Sequence, residues 1–182
     1  LENISYSYDD KKEIFKDLNF DLLKNEIIGI YGESGSGKSS FLDILTQLIS
    51  MKSGSIFLDG KKISEPLEIR KYQNLFTIVT QDTFLSNESI LENIISSKNK
   101  DTYDEEKLEE SIKFASLDQA IKTMPEGINT KVGSAHKKIS SGQKQRISIA
   151  RSFYNKRKIL VLDEATNALD EKNERKIFEN LK

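Results

Sequence analysis

The chain has 182 residues, 28 basic against 29 acidic side chains, a net charge of -1, 36% hydrophobic residues and no cysteine. That balance gives no support to non-specific nucleic-acid binding, and the missing thiols exclude disulfide staples and cysteine-ligated metals. No apolar run approaches the roughly 20 residues of a membrane-spanning helix, so a membrane role would have to come through a partner or through sequence outside this chain.

The opening Leu1-Glu2-Asn3-Ile4 reads as strand, without the basic and apolar stretches of a secretory signal. Ile4-Ser5-Tyr6-Ser7-Tyr8 alternates, a polar turn follows at Asp9-Asp10-Lys11-Lys12, and Leu18-Asn19-Phe20-Asp21-Leu22 alternates again. This predicts a half-exposed antiparallel start. Ile27-Ile28-Gly29-Ile30-Tyr31 is nearly all apolar and predicts a buried parallel strand.

Next comes Gly32-Glu33-Ser34-Gly35-Ser36-Gly37-Lys38-Ser39, a G-x-x-x-x-G-K-S phosphate loop between an expected strand and an expected helix. Glycines let the backbone N–H groups curl inward, Lys38 can reach the β- and γ-phosphates, and the Ser39 hydroxyl can ligate Mg²⁺. A helix opening near Gly37 adds its positive end to the same anion site. The bland alternative is a flexible Gly/Ser loop, and the flanking strand and helix weigh against it.

Phe41, Leu42, Leu45, Leu48 and Ile49 then recur at helical spacing, and Gly54-Ser55-Ile56-Phe57-Leu58-Asp59-Gly60-Lys61 predicts a strand and a tight Asp-Gly turn. Leu75-Phe76-Thr77-Ile78-Val79 is a further apolar strand, ending at Thr80-Gln81-Asp82. From Phe84 to Ser140 charged helical segments dominate. Thr102 to Glu105 has capping-box spacing ahead of a stripe of Leu108, Ile112 and Ala115, with Glu105, Glu106, Glu109 and Glu110 as a solvated face. Met124-Pro125-Glu126-Gly127 is a turn. Ile159-Leu160-Val161-Leu162 is a last apolar strand, stopped by Asp163-Glu164, and an amphipathic segment from Glu171 carries Ile177, Phe178 and Leu181 on one side.

Three apolar strands thus end in residues suited to nucleotide chemistry, where ligands collect in parallel α/β sheets. The phosphate loop follows the first, Gln81 the second, and Asp163-Glu164 the third. Asp163 is placed to hold Mg²⁺ and Glu164 to orient and deprotonate an attacking water. Taken alone, that acidic pair is an ordinary strand-ending turn. Ser140-Ser141-Gly142-Gln143 has capping-box spacing, and its free N–H groups suit a phosphate; taken alone, it is an ordinary well-capped helix start.

In combination these motifs resemble the ATP-binding cassette family, whose members carry a Walker A loop, a Q-loop, a signature motif, a Walker B strand and a D-loop in this order. The resemblance runs along essentially the whole chain and implies an α/β P-loop NTPase core, a mostly parallel sheet with an antiparallel N-terminal part, and an inserted helical lobe. The core would be residues 1–82 and 155–182, the lobe 83–154. It also implies a head-to-tail dimer with ATP sandwiched between one subunit's phosphate loop and the other's signature helix. By similarity Tyr8 stacks on adenine, and Gly32, Ser34, Gly35, Ser36, Gly37, Lys38, Ser39 and Ser40 cradle the phosphates. Ser140, Ser141, Gly142 and Gln143 meet the partner's γ-phosphate, and Asp170 is the D-loop acid. Ser39, Gln81 and Asp163 organise Mg²⁺, and Glu164, Gln81 and Lys38 carry catalysis. Val79 to Leu85 with Ile90 to Ile94 is similar to exporter-type cassettes, which implies a transmembrane partner domain, a place at the cytoplasmic face of a membrane and no nucleic-acid partner.

There are departures. Ser141 and Asn167 stand where the family usually has glycine and serine, the second a mild exchange of small polar residues. Thr130-Lys131-Val132-Gly133-Ser134 lacks the exporters' usual glutamate. The family's switch histidine has no counterpart, since the only histidine, His136, precedes the signature and reads as a solvated loop residue. A chain cut before that histidine is expected to bind Mg-ATP and hydrolyse it slowly. The alternatives are a soluble cassette ATPase and a P-loop kinase; neither a long coiled coil nor a tandem cassette favours the first, and a kinase would not need a signature.

Overall fold

A computed structural model of the chain describes residues 1–9, 12–97, 102–133 and 139–180. His136 and Leu181 lie outside them. The chain divides into two compact units, Leu1–Phe76 and Thr77–Lys182.

In the first unit β1 (Glu2–Ser7) lies between β2 (Glu13–Leu18) and β3 (Ser53–Ser55), antiparallel to both. The antiparallel start is therefore present, but β2 ends where the alternation predicts a strand to begin. Asp17 turns left-handed (φ 49°) and the register slips, yet Leu1 and Phe20 still exchange backbone hydrogen bonds of 2.7 and 3.1 Å. The ladder thus reaches Phe20 across a bulge, which period-2 counting does not anticipate.

The predicted hairpin is found as β4 (Phe57–Leu58) and β5 (Lys61–Lys62), with Asp59 and Gly60 both at positive φ, as a two-residue turn requires. The helix after the phosphate loop, α1 (Lys38–Leu45), is shorter than its apolar spacing predicts. The Thr46 hydroxyl bonds back to the Leu42 carbonyl and Gln47 turns left-handed, so Leu48 is left exposed and Ile44 joins Phe41 and Leu45 in the core. A helix absent from the sequence reading, α2 (Pro66–Gln73), starts with proline and a Glu65–Glu68 capping box. Its Tyr72 hydroxyl donates to the Leu45 carbonyl at 2.8 Å, and burial pushes that phenol up to about 12.

One expectation fails in this unit. Residues 27–31 form no strand, and Ile27 and Tyr31 are 66% and 93% exposed. A parallel strand is buried by ladder partners and by helices on both faces of its sheet; among the described residues no strand pairs with this run.

The second unit opens within β6 (Phe76–Thr80), which pairs with β7 (Ile159–Asp163). Around α6 (Ser141–Asn155) pack α3 (Ile90–Ile95) and α4 (Glu105–Phe114), with α5 (Asp118–Lys122) beyond. Ile147, Ile149 and Ala150 of α6 are fully buried, and Phe114 stacks on Phe153. Thr102 does not cap α4: Asp104 does, accepting from the Lys107 N–H, while its own N–H donates to the Tyr154 hydroxyl. Asp caps as well as Thr, and that tether fixes where the helix begins. The four glutamates of α4 are exposed as expected. Helix α7 (Glu171–Asn180) buries Ile177 but leaves Phe178 43% exposed.

Candidate functional site

The first unit carries the phosphate loop. Gly37, the N-cap of α1, has φ 97°, a conformation that a side chain resists, and an added Cβ would lie 2.7 Å from Ile14 Cγ2. Glycine is therefore required there. No side chain caps α1, so the N–H groups of its first turn, including those of Ser39 and Ser40, have no partner from within the helix. This is a ready anion site. The loop is closed by Lys38, whose ammonium donates to the Gly32 and Glu33 carbonyls at 2.9 Å each. The Ser36 N–H bonds the Glu33 carbonyl as well. Gly32, Ser34, Gly35, Ser36 and Ser39 are all exposed, as a phosphate requires.

Tyr8 lies beside this loop. Its hydroxyl is hydrogen-bonded to Ser40 Oγ, a buried group on α1, and its ring remains 71% exposed with Tyr6 packed edge-on at 5.3 Å. The sequence placed Tyr8 and Ser40 in one site, and the fold brings them into contact. An exposed aromatic side chain tied to α1 suits a planar base.

The second unit holds the remaining candidates. Gln81 is exposed just after β6, Asp163 ends β7, and Glu164 follows it, exposed at φ 51°. The Ser140 capping box is present as predicted: its hydroxyl accepts from the Gln143 N–H at 3.1 Å, and Gln143 Oε1 accepts from the Ser140 N–H at 3.0 Å. Ser141 is exposed at the first helical position. Gly142 faces the Ala168 carbonyl so closely that a Cβ would stand 2.8 Å from that oxygen. Asp170 immediately precedes α7, and hydrogen bonds from the Asn173 N–H and then the Asn173 side chain hold its carboxyl below the usual range.

Two residues passed over or discounted in the sequence also belong here. Gln145, 2% exposed on α6, accepts from the Ala168 N–H at 3.2 Å, and Asn167 donates to Glu164 Oε2 at 3.0 Å. The spacing from Glu164 to Asn167 is that of a single turn and was the available signal.

Among the described residues no three carboxylate, histidine or cysteine side chains cluster as a metal site. The donors proposed for Mg²⁺ are the Ser39 hydroxyl, the Gln81 amide and the Asp163 carboxylate, all hard oxygen groups. Each is of the donor type suited to an ion that takes few protein ligands and completes its shell with phosphate oxygens and water.

Comparison with known proteins places this geometry in context. The family model described as ABC transporter matches residues 15–167. The chain is 40% identical over 180 residues to "Putative multidrug export ATP-binding/permease protein YgaD" of Bacillus subtilis (strain 168), covering 98% of this chain and 30% of that protein. It is 37% identical over 182 residues to the similarly named SAOUHSC_02003 protein of Staphylococcus aureus (strain NCTC 8325 / PS 47), covering 100% of this chain and 31% of that one. The chain thus spans under a third of the length of these relatives. Among solved structures, "Structure of a bacterial Atm1-family ABC exporter with ATP bound" superposes with a TM-score of 0.87 at 31% identity, over 99% of this chain and 31% of the other.

Proposed function

This chain belongs to the ABC transporter family, and from that premise we propose that it is the ATP-binding and ATP-hydrolysing part of an exporter, working as a head-to-tail pair. The observation that carries this function is the uncapped N-terminus of α1 behind a loop closed by Lys38. A bound triphosphate would give the Lys38 ammonium and the α1 N–H groups stronger acceptors than the loop carbonyls. Tyr8 would offer its exposed face to adenine. Ser39, Gln81 and Asp163 would hold Mg²⁺, which neutralises developing charge on the phosphates when bound.

Glu164 then orients a water and takes its proton, and the Ser140 to Gln143 turn of a second chain supplies donors to the γ-phosphate. The capping box engages the Ser140 and Gln143 N–H groups internally, so the Ser140 O–H and the Ser141 and Gly142 N–H groups are left for that task. In this proposal residues 1–82 and 155–182 form the ATPase core and 83–154 the helical lobe. The relatives' ATP-binding/permease names support a membrane domain as partner and a place at the cytoplasmic membrane face.

The test is a Mg-ATP titration followed by fluorescence of a labelled nucleotide. Saturable binding that ATP displaces and AMP does not is the expected result. The absence of saturable binding would overturn the proposal.

A further inference from the structure

Glu164 is an exposed carboxylate on a flexible stem, and a base so placed would spend much of its time misaligned. Its surroundings narrow that freedom. The left-handed backbone at Glu164 (φ 51°) starts a turn closed by the Asn167 N–H on the Glu164 carbonyl at 3.2 Å. From the same turn Asn167 Nδ2 donates to Glu164 Oε2 at 3.0 Å. That bond engages one carboxylate oxygen and leaves the other to accept a proton.

The donor is itself anchored. The next residue, Ala168, is gripped from both sides by α6: its N–H bonds Gln145 Oε1 at 3.2 Å, and its carbonyl lies against Gly142 with no room for a Cβ. Gln145 is buried and cannot easily swing away. We propose that Asn167 is a positioning residue for Glu164, and that Gln145 acts through Asn167 by fixing Ala168. This rests on Glu164 being the base for ATP hydrolysis. It also gives Asn167, a mild exchange by sequence, a task that depends on an amide donor.

The experiment compares steady-state ATP hydrolysis by the complete polypeptide with that of its Asn167→Ala, Asn167→Asp and Gln145→Met variants. Asn167→Asp keeps the shape, removes the donor and sets a second carboxylate against Glu164. Asn167→Ala should lower kcat about tenfold, the size expected for one lost hydrogen bond to a charged group, and Asn167→Asp at least as much because like charge is added, with KM for ATP within about twofold in both. Gln145→Met should lower kcat in the parent but add nothing in the Asn167→Ala background.

Wild-type kcat in Asn167→Asp, or equal changes in kcat and KM, overturns the role of Asn167. A Gln145→Met loss that simply adds to that of Asn167→Ala overturns the link through Gln145. If Gln145→Met does not fold, the two Asn167 variants decide alone. Parent protein and Glu164→Gln are run alongside. An inactive parent or a fully active Glu164→Gln would remove the ATPase premise itself, whereas normal controls with wild-type-like Asn167 variants remove only this inference.

Discussion

Lys38→Ala raises the dissociation constant for Mg-ATP by at least about 30-fold, the lower end of what removing one partner of a hydrogen-bonded charge pair costs. Two effects combine. The ammonium is the one side-chain cation in the loop, so its loss leaves phosphate charge to be met by N–H dipoles alone. It also ties the Gly32 and Glu33 carbonyls together, so the loop loses its internal clasp before any ligand arrives. The free loop then has to be ordered at the expense of binding energy. Because the Lys38 side chain makes these contacts at a partly exposed position, the fold should survive, and circular dichroism should match the parent. Affinity retained within a few-fold would count against the phosphate-loop assignment.

Glu164→Gln separates binding from chemistry. The substitution keeps size and removes the base, and an amide oxygen still accepts from Asn167 Nδ2, so the turn at residues 164–167 is preserved. A positioned general base is worth about 10²–10⁴ in rate, or roughly 3–5 kcal/mol of barrier. Hydrolysis should fall by that factor while Mg-ATP affinity is unchanged, and the ATP-bound pair should accumulate on a sizing column because it can no longer turn over. Hydrolysis at the parent rate would take Glu164 out of its role.

What the sequence made legible was local. The start of α1 after Gly37, the Ser140 to Gln143 capping box, the Asp59-Gly60 hairpin and the exposed glutamates of α4 each depend on residues a few positions apart, and each is found. What it hid was longer in range. An apolar run such as residues 27–31 expresses a demand for burial but cannot name the strands that would satisfy it. Apolar spacing overran the end of α1 because Thr46 and Gln47 stop the helix for reasons of backbone geometry, and α2 was missed because its few apolar residues make a weak stripe beside strong capping. The hydrogen bond made by Asn167 is hidden for a related reason. As a residue type Asn167 is a modest exchange, and the contact depends on the turn that lays its amide on Glu164 and on Gln145, which holds the next peptide.

The central claim is that the phosphate loop of one chain and the Ser140 to Gln143 turn of another make one catalytic site. Lys38→Ala breaks the first half and Ser141→Glu the second, the latter by placing a carboxylate where phosphate should land while suiting a helix N-terminus. Each variant alone should be inactive as the complete polypeptide. Co-expressed with different tags, so that only mixed pairs are recovered, they should regain up to about half of the parent hydrolysis rate, because one of two sites in each pair has both halves intact. Mixed pairs that form, bind ATP and remain as inactive as either variant alone would contradict a site shared between chains.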